Sequence, residues 1–258
     1  MEEIREIIQY REFLKTSVQK DIRGKYKGSF FGVLWSFINP LLQAVVYAVI
    51  FPYIMRTQIE NYLVYLIIGI IAWTFFTNVI NAGMMVIQMN AGIIKKVYFP
   101  RIILPLSSAI SGVVNFLISC LVILLFCIFN PSIGVSWHII ILPLITFIQF
   151  VLSLGISLAL SAINIYIKDT QYIIQFVLNL MFYATPILYT VDIFPESLRW
   201  VLMLNPMAGL VDAYRCIFMY HTIPDFSVLA YTCVVSVVLF VIGLIVFRKL
   251  EKGFAEEV

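Results

Sequence analysis

The stretch that decides the fold covers residues 104–129 and reads LPLSSAISGVVNFLISCLVILLFCIF. Its 26 residues include no Asp, Glu, Lys or Arg. As an α-helix they would rise about 39 Å, which exceeds the bilayer core of about 30 Å. Comparable apolar stretches recur elsewhere, at 30–55, 62–81, 138–166, 171–190 and 226–247. The sequence therefore predicts an all-α polytopic membrane protein with six transmembrane helices.

The overall composition leaves room for a single membrane domain over residues 1–258. Hydrophobic residues make up 62% of the chain and charged residues 12%, with a mean hydropathy of +1.00. Soluble domains carry about 25% charged residues. The N-terminus is mixed in charge, unlike a cleavable signal peptide. The cysteines have no metal-ligand spacing, so we expect small buried side chains and no metal; they are Cys120, Cys127, Cys216 and Cys233.

Residues 1–29 are a distinct N-terminal segment. Within 3–20, apolar residues fall on one helix face and charged residues elsewhere, which predicts an amphipathic helix lying in the membrane interface. A basic cluster follows, made of Lys20, Arg23, Lys25 and Lys27. Such a cluster sets topology and attracts anionic lipid, at about 1 kcal/mol per basic residue.

The distribution of basic residues predicts the orientation. If both termini are cytoplasmic, three of the 17 Lys and Arg residues lie outside and the remaining 14 lie inside. The three outside are Arg56, Arg199 and Arg215. The positive-inside rule therefore predicts cytoplasmic termini, with 248–258 as a cytoplasmic tail.

Two missing features indicate where the energy for any transport enters. No ionisable residue falls in the middle of a predicted span, whereas ion-coupled transporters usually need one there. The chain also has no G-x-x-x-x-G-K-[ST] phosphate loop, so it does not bind ATP by that route. We expect a transport subunit that is not itself an enzyme and is driven from elsewhere.

Two predicted spans carry polar stripes along one helix face. The stripes consist of Ser36, Asn39, Gln43 and Tyr47 in the first span, and of Gln171, Gln175, Asn179 and Tyr183 in the fifth. Spacings of three and four residues put each set on one face. Amides in hydrocarbon cost several kcal/mol unless they are paired or hydrated. The stripes either line a hydrophilic path suited to sugar hydroxyls or form interhelical hydrogen bonds worth about 1 kcal/mol each.

Two other spans carry smaller patterns. In the second, a partly polar segment either joins the path or forms an interfacial belt, and the belt is favoured for Trp73; the segment contains Trp73, Thr74, Thr77, Asn78 and Asn81. In the fourth, Ser153, Ser157 and Ser161 repeat every four residues. Small residues on one face predict close helix packing.

One inner loop and one outer segment differ from ordinary connections between spans. The inner loop 82–103 is apolar for a loop, and predicts a short helix that either docks into a partner protein or lies on the lipid surface. The outer segment 191–225 is broken by prolines, which predicts two half-length helices that re-enter the outer leaflet as an outer gate. Asp212 and Arg215, three residues apart, are expected to pair with each other.

Taken together, these motifs give a resemblance to the ABC type-2 exporter permeases for O-antigen, capsule and teichoic acid. The matching stretches are 10–14 (YREFL), 20–27 (KDIRGKYK), 32–40 (GVLWSFINP), 95–101 (KKVYFPR), 185–189 (TPILY) and 205–215 (NPMAGLVDAYR). Lys168-Asp169 stands where that family has an Arg-Asp pair, and the lysine is a mild departure. The resemblance covers essentially the whole chain, with the motifs in the same order.

The resemblance implies a homodimer in the bacterial cytoplasmic membrane that associates with two copies of a separate ATPase, which binds ATP and Mg. A lipid-linked polysaccharide would pass between the protomers through the lipid bilayer, and no nucleic acid is involved. In such an exporter, the basic cluster either contacts the phosphates of the lipid-linked substrate or serves only to set topology and attract anionic lipid.

The resemblance and the patterns together assign candidate residues to three roles. For ATPase coupling they are Gln88, Asn90, Lys95, Lys96, Tyr98, Phe99, Pro100, Arg101, Lys168 and Asp169. For the translocation path they are Trp35, Asn39, Gln43, Tyr47, Gln171, Gln175, Phe176, Asn179, Phe182 and Tyr183. For the outer gate they are Pro186, Tyr189, Pro195, Asn205, Pro206, Asp212 and Arg215.

Two other classes of function are alternatives to this interpretation. A type-2 permease for a drug, peptide or small lipid shares the architecture, but that branch tends to lack the interfacial helix and the pattern over 35–40. An intramembrane enzyme would need converging catalytic groups near the interface. The nearby acids Asp192, Glu196 and Asp212 do not have the spacing of a site.

Overall fold

The computed structural model describes residues 8–26, 28, 32–55 and 59–257, and these are helical with no strand. The principal helices are α1 Arg11–Tyr26, α2 Trp35–Met55, α3 Tyr62–Met89, α4 Ala91–Ile94, α5 Ile103–Phe129, α6 Leu142–Tyr166, α7 Thr170–Ala184, α8 Glu196–Met203, α9 Pro206–Arg215, α10 Phe226–Leu250 and α11 Phe254–Glu257. The all-α class is confirmed. Lys27, Arg56 and the first residues of the predicted interfacial helix lie outside the described residues.

Five helical stretches are long and apolar enough to cross a membrane: Trp35–Ile54, Tyr62–Met89, Ile103–Phe129, Trp137–Tyr166 and Phe226–Gly253. The prediction of a continuous span over 171–190 is wrong. Helix α7 has 15 residues and rises only about 22 Å. It ends because Pro186 disfavours helical backbone at the residue before it, and Thr185 is accordingly extended, with φ −97° and ψ 135°.

The ends of the helices meet in two separate groups. At one end the guanidinium of Arg101 donates to the carbonyl of Glu251, and the Tyr166 hydroxyl donates to the carbonyl of Leu250 at 2.8 Å. We call this the basic end; it carries α1, residues 90–102, residues 167–169 and the tail 251–257. At the opposite end the Tyr62 hydroxyl donates to Leu188 at 2.7 Å. Since α7 begins at the basic end, α7 and residues 185–189 together make a sixth crossing, only part of which is helical.

Helix α3 is longer than the span predicted over 62–81. It contains 28 residues and ends at Met89, a rise of about 42 Å that exceeds the bilayer core. Residues 82–89 remain apolar and contain no proline, so nothing in the sequence stops the helix there. The predicted short helix of the inner loop is α4.

Close backbone contact holds α3, α6 and α10 together. Ser153, Ser157 and Ser161 are fully buried, in agreement with the predicted packing role. A Cβ atom on Gly83 of α3 would overlap Ser157, and one on Gly155 would lie 2.5 Å from the Phe240 Cα of α10. Helices in lipid associate mainly through such packing, because lipid tails remove the hydrophobic drive between helices. These glycines therefore set the spacing of the bundle.

Replacing Gly243 by alanine is expected to destabilise the bundle, because the new Cβ would overlap the carbonyl of Gly155. Overpacking of this kind costs about 1–3 kcal/mol. The thermal midpoint of the purified protein in detergent should fall. The matched control is Gly24→Ala, since nothing lies within 4 Å of a Cβ there; it should be neutral or stabilising. Equal midpoints for the two variants would contradict the packing account.

Candidate functional site

A polar pocket lies among α2, α3 and α7. Its volume is about 450 Å³, and its lining residues are Gln43, Tyr47, Ile70, Trp73, Thr74, Thr77, Asn179, Phe182 and Tyr183. Both polar stripes contribute to it, with Gln43 donating to the Tyr47 hydroxyl at 3.2 Å. The two helix faces that the sequence singled out therefore meet at one cavity.

Aromatic rings form one wall of this pocket. The Phe182 ring centroid lies 6.0 Å from that of Trp73, 6.1 Å from that of Tyr47 and 5.3 Å from that of Tyr183. Phe182 and Trp73 are buried, whereas Tyr183 is 59% exposed and open to the surroundings. The pocket thus offers aromatic faces next to amide and hydroxyl groups, the combination that sugar rings stack on and hydrogen-bond with.

The structure separates the remaining path candidates from the pocket. Trp35, Asn39, Gln171, Gln175 and Phe176 are absent from its lining. Asn39 and Gln175 are exposed on the faces of α2 and α7, and Phe176 is 64% exposed.

Helix α3 supplies pocket residues that the sequence had left between two interpretations. The belt favoured for Trp73 is wrong, because its ring is only 6% exposed and packs on Phe76 and Phe182. Thr74 and Thr77 line the pocket beside it. Asn78 instead lines a separate small cavity with Ser36. The available signal was the spacing of Ile70, Trp73 and Thr77 by three and four residues, which puts them on one helix face.

At the opposite end, residues 185–189 cross the protein interior without helical hydrogen bonds. All five are buried, so each carbonyl needs a donor from within the protein. Tyr62 donates to Leu188 and Tyr65 to Tyr189, both at 2.7 Å. The predicted gate residues Pro186 and Tyr189 belong to this segment.

The Thr185 carbonyl accepts from the Ile187 N–H at 2.6 Å, and Arg215 satisfies the remaining two carbonyls. Its Nη1 donates to Pro186 at 2.7 Å and its Nη2 to Ile187 at 2.9 Å. Its guanidinium also lies 3.4 Å from the Tyr65 ring centroid. The predicted pairing with Asp212 is wrong: no ion pair joins these two described residues. Arg215 is 3% exposed and its guanidinium faces the carbonyls, whereas Asp212 is exposed.

Helix α9 is fixed by further polar contacts. Asn205 caps its first turn, accepting from the Met207 N–H at 3.0 Å, and donates to Thr185 at 2.8 Å. Pro206 stands at its first position, where a missing N–H costs nothing. Tyr214 donates to Gln149 of α6 at 2.8 Å, and Gln149 donates to the carbonyl of Ala72 in α3 at 2.7 Å.

Gln149 was missed by the sequence analysis, although it is the amide nearest the start of the fourth span. Of the other gate candidates, Pro195 is exposed just before α8. The outer segment thus contains two short helices as predicted, with α8 largely exposed and α9 buried among α3, α6 and α10.

The coupling candidates divide into exposed and inward-facing groups. Lys95, Lys96, Tyr98, Lys168 and Asp169 are exposed at the basic end. Phe99 and Gln88 face inward. Phe99 is buried, with its ring centroid 4.8 Å from that of Phe13 in α1. Gln88 donates to the carbonyl of Asn164 in α6 at 2.9 Å. Pro100 and Arg101 are half-buried. Phe99 therefore anchors the loop to its own chain, and the exposed surface next to it belongs to Tyr98.

Helix α1 packs along the first turns of α5 and reaches the inner loop. Lys20 donates to Asn90 at 3.2 Å, while Arg23 is exposed and Lys25 lies near the helix end. Burial against α5 raises the pKa of the Asp21 carboxyl, and the charge of Lys20 and the hydroxyl of Ser107 oppose this rise. One predicted headgroup ligand, Lys20, is thus engaged within the chain.

Crossing helices around a polar cavity, with loops gathered at one basic end, are the features of a multi-pass membrane transport protein. The chain matches the ABC-2 type transporter family over residues 12–219 and belongs to that family.

The similar proteins include three named O-antigen export system permease protein RfbA. The one from Myxococcus xanthus is 34% identical over 259 residues, covering 99% of this chain and 98% of its own. One from Klebsiella pneumoniae is 36% identical over 248 residues, covering 95% and 94%. The polysialic acid transport protein KpsM of Escherichia coli is 23% identical over 240 residues, covering 91% and 92%.

Replacing Arg215 by glutamine should destabilise the protein by at least about 2 kcal/mol, because it leaves buried carbonyls without donors. The thermal midpoint in detergent measures this. The control is Arg11→Gln: Arg11 pairs with the equally exposed Glu12 at 4.0 Å, a surface contact worth about 1 kcal/mol or less. A midpoint for Arg215→Gln no lower than that of the control would contradict the role assigned to Arg215.

Proposed function

We propose that the chain is the permease subunit of an ABC exporter that moves a lipid-linked polysaccharide across the bacterial cytoplasmic membrane. ATP hydrolysis on a separate subunit drives the movement. The observation that carries this proposal is the near full-length similarity, at 34% and 36% identity, to two proteins named as O-antigen export permeases.

The chemistry of the pocket supports a sugar polymer as the substrate. None of its lining residues is charged, so it offers no partner for a coupling ion. Its aromatic faces and amides suit a neutral, hydroxyl-rich chain. The aromatic rings contact sugar faces without demanding a particular hydroxyl pattern, which suits a polymer that slides.

The exposed amides favour a second copy of the chain. Asn39, Gln43, Gln175 and Asn179 are exposed on α2 and α7. An amide facing hydrocarbon costs several kcal/mol. A homodimer in which these faces meet around a hydrated path removes that cost and puts the pocket of each protomer on the path.

The basic end is the proposed docking surface for the ATPase. Val97 and Tyr98 are 59% and 84% exposed, and large exposed apolar side chains on a loop tip mark interaction sites. Lys168 and Asp169 are exposed at the same end. By the positive-inside rule this end is cytoplasmic, where ATP is available.

A type-2 permease for a drug, peptide or small lipid is the second candidate. It would dock the same kind of ATPase, so docking does not distinguish the two. The distinguishing observation is whether cells lacking the chain accumulate lipid-linked glycan inside and lose it from the surface. Normal surface glycan in such cells would favour the second candidate.

Replacing Tyr98 by alanine should weaken ATPase docking by about tenfold or more, as loss of an exposed aromatic anchor does. The measurement is the amount of ATPase that co-purifies with the tagged permease. Phe226→Ala is the control, because Phe226 is equally exposed, at 84%, but lies at the opposite end. Undiminished co-purification with Tyr98→Ala would contradict the proposed docking surface.

Replacing Asn179 by tryptophan should block export by filling the pocket, with little effect on the thermal midpoint because the side chain is exposed. Surface glycan and the midpoint are both measured. Leu125→Trp is the control, since Leu125 is half exposed on α5, away from the pocket. Normal export with Asn179→Trp would show that the stripe serves packing and not passage.

A further inference from the structure

The C-terminal tail folds back against the basic end. After α10 ends at Leu250, the chain turns through Glu251–Gly253 into the short helix α11. Phe254 is fully buried, with its ring centroid 5.5 Å from that of Phe247 in a T-shaped contact. A tail that served only to end the last span would not need to bury an aromatic side chain outside it.

Arg101 of the predicted coupling loop contacts the tail. The Arg101 guanidinium donates to the carbonyl of Glu251 and lies over the Phe254 ring, 5.8 Å from its centroid. A guanidinium within about 6 Å of a ring centroid is attracted to the ring face. Arg101 therefore makes two different contacts with residues that follow the last span.

The same tail also touches the second predicted coupling segment. Tyr166, two residues before Lys168, donates to the carbonyl of Leu250 at 2.8 Å. Gly253 packs so closely on the Tyr166 hydroxyl that a Cβ atom there would overlap it. The tail is thus in contact with both inner connections at once.

The contacts of Arg101 and the tail cross a cavity between the inner loop and α10. About 370 Å³ of space separates residues 98–102 from the end of α10, lined on the far side by Phe247, Arg248, Glu251 and Lys252. Arg101 and the tail cross this space, because Arg101 contacts Glu251 and Phe254 while Phe254 packs on Phe247 of α10.

We propose that the tail 251–257 positions the two coupling segments against α10, so that movement of the loop on the ATPase is passed to the last span. Phe254 is the central positioning residue. This inference rests on the proposed function, because it needs an ATPase at the basic end. It assigns a role in transport to a segment that lies outside the residues matched to the family, which end at 219.

The test uses the complete complex of the permease with its ATPase. With Phe254→Ala, the ATPase should still co-purify and hydrolyse ATP at the wild-type rate. Export per ATP hydrolysed should fall at least about fivefold, as expected for loss of a partly desolvated cation–π contact and its packing. Phe254→Tyr should restore export, since it keeps the ring, whereas Phe254→Leu should restore it only in part. Glu257→Gln, an exposed change in the same tail, is the control.

A second variant covers failure of Phe254→Ala to fold. Tyr166→Phe removes only the hydroxyl that bonds to Leu250, and it should lower export per ATP while leaving assembly intact. Export per ATP equal to wild type in either assembled variant would overturn the inference, and so would rescue by Phe254→Leu as complete as by Phe254→Tyr. Failure of the proposed function is seen separately in the wild-type chain, which would then either recruit no ATPase or export no lipid-linked glycan.

Discussion

Four consecutive backbone carbonyls in a buried, non-helical segment are the constraint on which the rest of this structure depends. Residues 186–189 have no helical partners for these groups and are buried, so the donors must come from other side chains of the protein. Arg215, Tyr62 and Tyr65 supply the donors. Without them the four carbonyls would be buried without donors, and the outer segment would lose its attachment to α3.

This arrangement explains why the outer segment needs an arginine. A buried cation is costly unless several acceptors surround it. A guanidinium can donate to two carbonyls at once while its face lies on an aromatic ring, which an ammonium cannot do with the same geometry. Its place at the end of α9 also links the segment to α6, because the preceding residue, Tyr214, donates to Gln149. Hydrogen bonds therefore join the outer segment to α6 and to the carbonyl of Ala72 in α3, which directly precedes Trp73 of the pocket.

The sequence predicted features that depend on local pattern. Residues 104–129 and 226–247 formed helices within a few residues of the expected limits, because uninterrupted apolar stretches leave few alternatives in lipid. The stripe residues Gln43 and Asn179 reached the same pocket, because helical spacing fixes their faces. The resemblance to exporter permeases named the family to which the chain belongs.

Features that depend on tertiary contacts could not be predicted in this way. Arg215 was expected to pair with Asp212 on one helix face, since sequence alone does not reveal which buried carbonyls a side chain will contact. Phe99 was predicted to contact the ATPase, whereas its ring packs on Phe13 of the same chain. The tail around Phe254 carried no pattern, because its burial depends on residues far away in the sequence. In each case long-range packing decided the position of a side chain whose local context was ambiguous.

The central claim is that this subunit is a conduit without an energy source of its own. The most direct measurement is transport of its lipid-linked glycan into sealed vesicles that contain the permease alone or the permease with its ATPase. The account predicts ATP-dependent transport only when both subunits are present. Transport by the permease alone, driven by an imposed ion gradient, would contradict it.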